Sequence, residues 1–335
     1  MKKKLLALSA ITAFGGLILA GYLGYIWYIY NYDSGLVKPV KDAAYKSAKS
    51  VDVEKLSDAV YVLRGDGGNV TALIGDDGIL IVDTDERWMA PKIHAALMTL
   101  AEAKVAYVIN THSHGDHRGG NGYFRARGAE VIAHKNTAAN IKVDTYDPAT
   151  PDEYPTILIE DEYKLTFNDE NITIRHLPNA HTNGDIYVRF EKANVIATGD
   201  AFSYAMFPYL SAGTGGSIGG HLSAQGRLAD EIDSQTAIVP GHGPTTNRDG
   251  LSETTSRIAD IRNHVAILKA WGIQARHSKF FYPTYAWRSD WRGPYITDNY
   301  FTQLVYHTLP DDPEPRGFYS AATGAEVAGL PAVNS

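Results

Sequence analysis

The hydrophobic pattern divides the chain into three regimes. Leu5 to Tyr30 is one unbroken apolar stretch without charge, Asn, Gln or Pro. Residues 32–52 turn polar and read as a linker. From Val53 onward the apolar positions fall into short runs separated by Gly, Asp and Asn, the pattern of strands and turns. Strands are predicted at 59–63, 69–74, 78–83, 105–110 and 130–134. A helix is expected over 91–103, with Pro91 in its first turn, and another from Asn136. A second series of strands follows at 156–160, 163–167, 172–177, 185–190 and 194–197. A glycine-rich loop is expected at 207–220, a helix at 221–232, a strand at 237–239 and a long helix at 251–271. Ile258, Ile261, Val265 and Leu268 form the apolar stripe of that last helix. The catalytic region is therefore expected over 53–272. An aromatic covering segment, densest between Phe280 and Phe301, and a loose tail from Asp311 fill 273–335.

The first regime is long enough to cross a bilayer, which takes about 20 apolar residues. Lys2, Lys3 and Lys4 form a basic tip before it. Tyr22, Tyr25, Trp27, Tyr28, Tyr30 and Tyr32 crowd its far end as an interfacial aromatic belt would. Residues 1–31 are thus expected to be a single-pass transmembrane helix, its tip cytoplasmic and the rest on the periplasmic side of the plasma membrane. The alternative is a signal peptide cleaved after Ala20, leaving a secreted protein. That puts the bulky Ile18 where a small residue is wanted.

Charge narrows the function. Lys and Arg number 31 against 38 Asp and Glu, and three of the lysines sit in the tip, so the remainder is distinctly acidic. This opposes a nucleic-acid partner, which needs a basic footprint. The chain has no cysteine, so neither disulfides nor thiolate ligands are available.

The chemistry concentrates in Thr111-His112-Ser113-His114-Gly115-Asp116-His117, directly after the 105–110 strand. Imidazole and carboxylate are ligands of open, catalytic metal sites. Alternate residues His112 and His114 can face one ion, and the adjacent pair Asp116 and His117 another. Later strand-end turns deliver His181, Asp200 and His242. His221, beside the glycine loop, can reach a substrate or be a helix-start or surface histidine. His94, His134, His176, His264, His277 and His307 have no motif partners and read as structural or exposed.

This set, with Asn69, Ile81-Val82-Asp83-Thr84 and Pro240-Gly241-His242-Gly243, resembles the metallo-β-lactamase superfamily over about two-thirds of the chain. The resemblance implies an α/β four-layer αββα sandwich with a dinuclear site at one edge. It assigns His112, His114 and His181 to the first metal and Asp116, His117 and His242 to the second, with Asp200 bridging. Asp83 supports the site from behind the ligands, and Asp116, His181 and Asp83 carry the catalytic roles. Two zinc ions are implied, with iron or manganese also suited to these ligands. The activity implied is hydrolysis of a thioester, lactone, ester or lactam in a small anionic acyl substrate. Aspartate at position 200, where many true β-lactamases have cysteine or serine, is similar to the glyoxalase II type and its SoxH-like neighbours. A mononuclear iron dioxygenase acting on a thiol or persulfide is the second implied class.

The anchor is testable apart from the chemistry. The full chain is expected to stay in the membrane fraction after an alkaline carbonate wash, and a chain lacking residues 1–31 to be released. Recovery of a soluble form beginning near residue 21 would instead mean a cleaved signal.

Overall fold

The computed structural model describes residues 46–144, 147–281, 283–284, 291 and 296–310. The expected membrane helix at 1–31, most of the linker and the tail from Asp311 lie outside the described residues, among which no helix is long and apolar enough to cross a membrane.

Two sheets account for every strand. The first has the order β1-β2-β3-β4-β5-β6-β7, built from Asp52–Lys55, Val60–Arg64, Val70–Gly75, Gly78–Val82, Val105–Asn110, Glu130–His134 and Ile157–Ile159. The second has the order β12-β11-β10-β9-β8, built from Ala237–Val239, Val195–Ala197, Ile186–Phe190, Glu170–His176 and Glu162–Phe167. Strands β1 to β4 are antiparallel, and β4 to β7 run parallel. In the second sheet only β11 and β12 are parallel.

Alternation along the strands explains why the sheets stack. Leu80 and Val82 of β4 join Ile109, Ile132, Ile174, Val188 and Phe190 in the layer between the sheets. Ile79 and Ile81 point the other way, against Ile93 and Leu97 of helix α1 (Ala90–Leu100). On the far side Tyr187, Ile196 and Ile238 meet Leu228 of α3 (Ile218–Asp230) and Leu251 of α4 (Arg248–Ala270). Strands buried on both faces read as continuous apolar runs, and covering both outer faces with helices gives the αββα layering. Helix α2 (Lys135–Val143) follows β6, and α5 (Asp298–Thr308) packs on α4.

Several bounds differ from expectation: α1 ends at Leu100 rather than 103, α4 starts at Arg248 rather than 251, and β1 and α3 differ for clear physical reasons. Strand β1 straddles the expected boundary at Val53, where no strand was expected. Its residues are mostly exposed, so backbone pairing to β2 at a sheet edge forms it without an apolar signal. Helix α3 starts three residues early: Ser217 caps it, accepting a hydrogen bond from Gly220 N at 3.0 Å. Gly219 and Gly220 resemble loop residues in sequence. A Cβ on Gly220 would come within 1.8 Å of the Asn179 carbonyl, so this glycine permits close packing rather than flexibility.

The aromatic segment is partly core. Phe301 of α5 is fully buried and stacks on Phe207 at 5.4 Å, with Trp291 beside them. Phe301→Ala is expected to cost about 3–5 kcal/mol by opening a cavity, read as a shift in the urea midpoint of the catalytic unit. An unchanged midpoint would mean α5 is not part of the cooperative fold.

Candidate metal centre

Backbone topology gathers the chemistry at one end of the sandwich. Asp83 directly follows β4, the His112–His117 stretch follows β5, Asp200 follows β11 and His242 follows β12. These are carboxyl ends of parallel strands, where open sheets leave a crevice. His181 arrives on the loop between β9 and β10. The two sheets are tied here by backbone bonds. Ile186 N donates to Thr111 O at 2.9 Å and Asn69 N to Gly241 O at 2.8 Å. The Asn69 side-chain amide also donates to the carbonyls of Pro240 and Gly243, holding the turn that carries His242.

All seven anticipated residues come together in two groups: His112, His114, His181 and Asp200, then Asp116, His117 and His242. His114 Nδ1 lies 3.2 Å from His112 Nε2 and 2.9 Å from His181 Nε2. His117 Nε2 lies 3.2 Å from His242 Nε2. A tetrahedral ion with bonds of ~2.0–2.1 Å keeps its ligand nitrogens about 3.3 Å apart, so these spacings fit a metal. Asp200 addresses both groups. Its Oδ2 is 3.6 Å from His181 and 4.0 Å from His112, and its Oδ1 is 3.3 Å from His117 and 3.5 Å from His242. Asp200 Oδ1 is also buried without a hydrogen-bond partner, as expected of an atom shaped for an ion. Asp116 Oδ2 is 3.2 Å from His242 Nε2 and remains about one-third exposed, at the mouth of the site.

The far nitrogens of His112, His117 and His181 are held by the protein. His117 Nδ1 donates to Asp83 Oδ2 at 2.8 Å and His181 Nδ1 to Tyr209 O at 2.9 Å. Thr111 Oγ1 donates to Asp83 Oδ2 at 2.8 Å, and so accepts from His112 Nδ1 at 3.1 Å. Each of these bonds leaves the Nε2 lone pair facing the centre, the tautomer a metal requires. Asp83 Oδ1 also accepts from Thr111 N at 2.8 Å. Asp83 is buried and sits at φ 63°, left-handed backbone that few non-glycine residues adopt. Glycines let the backbone close in. A Cβ on Gly68 would strike the His117 ring at 2.2 Å, and one on Gly241 would strike Asp200 Oδ1 at 2.0 Å.

Electrostatics divide the groups. Burial pushes His181 down to about 3, and burial with neighbouring imidazoles holds His112 well below its ordinary value. Burial opposes the charge on His117 too, but Asp200, Asp116 and Asp83 outweigh it and hold that ring well above its ordinary value. Burial likewise disfavours an ionised Asp200, yet His242, His117 and His181 keep its carboxyl well below the usual range.

His221 does not join either group. It lies in the first turn of α3, wholly buried, its Nε2 accepting from the Gln225 amide at 3.0 Å and its Nδ1 without a hydrogen-bond partner. Burial holds it down to about 4. His134 and His176 stack on each other at 3.8 Å, and His94 pairs with Tyr123, structural places for histidines without motif partners.

Sequence reasoning assigned no role to Thr111, Arg118, Asp185 or Tyr209. Arg118 is buried, donating to Ser113 O and Glu153 and so bracing the ligand loop. Asp185 accepts from the backbone N–H groups of His181 and Thr182 and from the Thr182 hydroxyl. The Thr182-x-x-Asp185 spacing is a signal for that clamp. Tyr209 acts through its carbonyl, which has no sequence signature.

Asp83→Asn keeps the shape but removes the charged acceptor behind His117. It is expected to weaken metal binding by about 10–100-fold, measured by metal titration against a chromophoric chelator. Wild-type affinity would sink the bracing role.

Comparison with known proteins gives the same picture. A sequence model described as the metallo-beta-lactamase superfamily matches residues 63–257. Among solved structures, a metallo-beta-lactamase from Pontibacter korlensis superposes with a TM-score of 0.55 at 17% identity, covering 62% of this chain and 99% of that one. The DIM-1 metallo-beta-lactamase gives 0.53 at 16%, covering 62% and 96%, and IND-7 gives 0.53 at 19%, covering 61% and 95%. At such identity these likenesses speak for the fold.

Proposed function

Because this chain belongs to the metallo-beta-lactamase superfamily, we propose that it is a dinuclear metallohydrolase, with zinc as the preferred metal, cleaving an acyl bond of the thioester, lactone or ester kind. The observation that carries this reading is Asp200, whose two oxygens turn toward different ligand groups. In this reading His112, His114 and His181 would hold one ion, Asp116, His117 and His242 would hold the other, and Asp200 would serve both. A metal pair held there would supply Lewis acidity and lower the pKa of a bound water toward neutral pH.

The residues of the chain do the rest. Asp83, directly and through Thr111, fixes the tautomers of His117 and His112. Tyr209 O orients His181. Asp116, partly open to solvent, is placed to orient the attacking water and take its proton through Oδ2. The formal charge of two dications with Asp116, Asp200 and one hydroxide is about +1, which favours an anionic substrate on an acidic domain. Aspartate rather than cysteine or serine at position 200 supports the glyoxalase II-like side of the superfamily over a dedicated lactamase. The Leu5–Tyr30 run would moor this activity at the outer face of the plasma membrane.

The deciding experiment is elemental analysis of chain purified without added metal, followed by a screen of lactones, thioesters and lactams. Near two zinc per chain, with activity abolished by chelation and restored by zinc, is expected. Asp116→Ala is expected to lower kcat by about 10²–10⁴-fold. About one iron per chain with thiol-dependent oxygen uptake would replace this reading with the dioxygenase one.

A further inference from the structure

One wall of the three-histidine group plays no part in holding ions. The Tyr209 ring lies against both His114 and His181, with centroids 5.9 and 5.8 Å away. Its own carbonyl accepts from His181 Nδ1, so ring and ligand are positioned together. Tyr300, in the first turn of α5, lies nearly parallel to Tyr209 at 18° and 6.4 Å.

The pairing has a simple origin. Alternate residues of the loop, Phe207 and Tyr209, meet adjacent residues of the helix, Phe301 and Tyr300. Phe207 and Phe301 are sealed in the core, which fixes loop and helix as one unit. The other pair stays open: Tyr209 is half-buried and Tyr300 is 44% exposed. Core packing explains the first pair and gives no reason for the second. A partly open tyrosine ring beside the ligand imidazoles, with a second open ring lined up next to it, makes a surface for a flat apolar group, since aromatic rings attract each other beyond the area they bury.

We infer that Tyr209 and Tyr300 form the acyl-side subsite of this centre, selecting a carboxylic acid derivative that carries an aryl or similarly flat apolar group. The inference rests on the hydrolase reading and names its substrate class.

The test uses the zinc-loaded full chain in detergent and measures binding of phenylacetate and acetate by calorimetry, each a stand-in for an acid product. Phenylacetate is expected to bind roughly three- to tenfold more tightly. Tyr300→Ala should bring that ratio close to one, whereas Tyr300→Phe should preserve it. Zinc content, measured on each variant, separates a lost subsite from a lost centre. A wild-type ratio near one, no binding of either acid, or a ratio that survives Tyr300→Ala overturns the subsite. A chain that holds two zinc ions and hydrolyses acyl esters without aryl preference would do so while leaving the hydrolase reading standing. A chain that holds no zinc pair would end both.

Discussion

Much of the centre hangs on one buried carboxylate. Asp83 accepts hydrogen bonds from Thr111 N, Thr111 Oγ1 and His117 Nδ1, and through Thr111 it also orders His112. One side chain therefore sets the rotation and tautomer of an imidazole in each ligand group. A carboxylate in this position is costly to bury unless its oxygens are satisfied, and three donors satisfy it. The backbone contributes as well. The left-handed φ of Asp83 turns the chain sharply at the end of β4, placing the carboxylate behind the neighbouring strand's ligand loop. Local strain at a functional site is affordable only where the surroundings hold it. Here the bond from Asp83 N to Ile109 O and the apolar packing of Leu80 and Val82 do so.

The sandwich matters because it brings two sets of parallel strand ends face to face. The first sheet offers Asp83 and the His112–His117 loop, the second Asp200 and His242. Neither sheet holds a complete set of ligands. The interlayer core fixes their spacing, and the bonds between Ile186 and Thr111 and between Asn69 and Gly241 pin the register at the rim. Glycines at 68 and 241 then remove the bulk that would keep the loops apart. Stability and function are coupled through this seam: what packs the sheets also sets the distance between ligand groups.

The periphery follows a different logic. Loop 207–217 and helix α5 are joined by aromatic rings rather than by strand pairing, and the same rings run from the core out to the rim of the centre. On the α5 side, selectivity built on such an attachment can change without disturbing the ligands; on the loop side Tyr209 and Ser211 both bond His181, so a change there reaches the centre.

Most of the ligand set was legible in the sequence because its members follow a short apolar run and stand at a turn, as with Val105–Asn110 before His112 and Ala237–Val239 before His242, while His181 stands in a polar turn. The strands were legible for a similar reason, since strands covered on both faces must be continuously apolar, whereas their stacking into layers was implied only by the family resemblance. Strand β1 was not, because an exposed edge strand needs only backbone partners. The start of α3 was hidden by two glycines whose purpose is close packing against Asn179. Arg118, Thr111 and the Tyr209 carbonyl had no role in the sequence, since a residue's type does not reveal which distant atom its donor or acceptor will meet. The sequence by itself determined which side chains could bind metal and in what kind of element each would stand. Tertiary structure decided which nitrogen each imidazole presents and which oxygen of Asp200 faces which side. Those are matters of a few tenths of an ångström and of hydrogen bonds between residues far apart in the chain, and only packing of the two sheets specifies them.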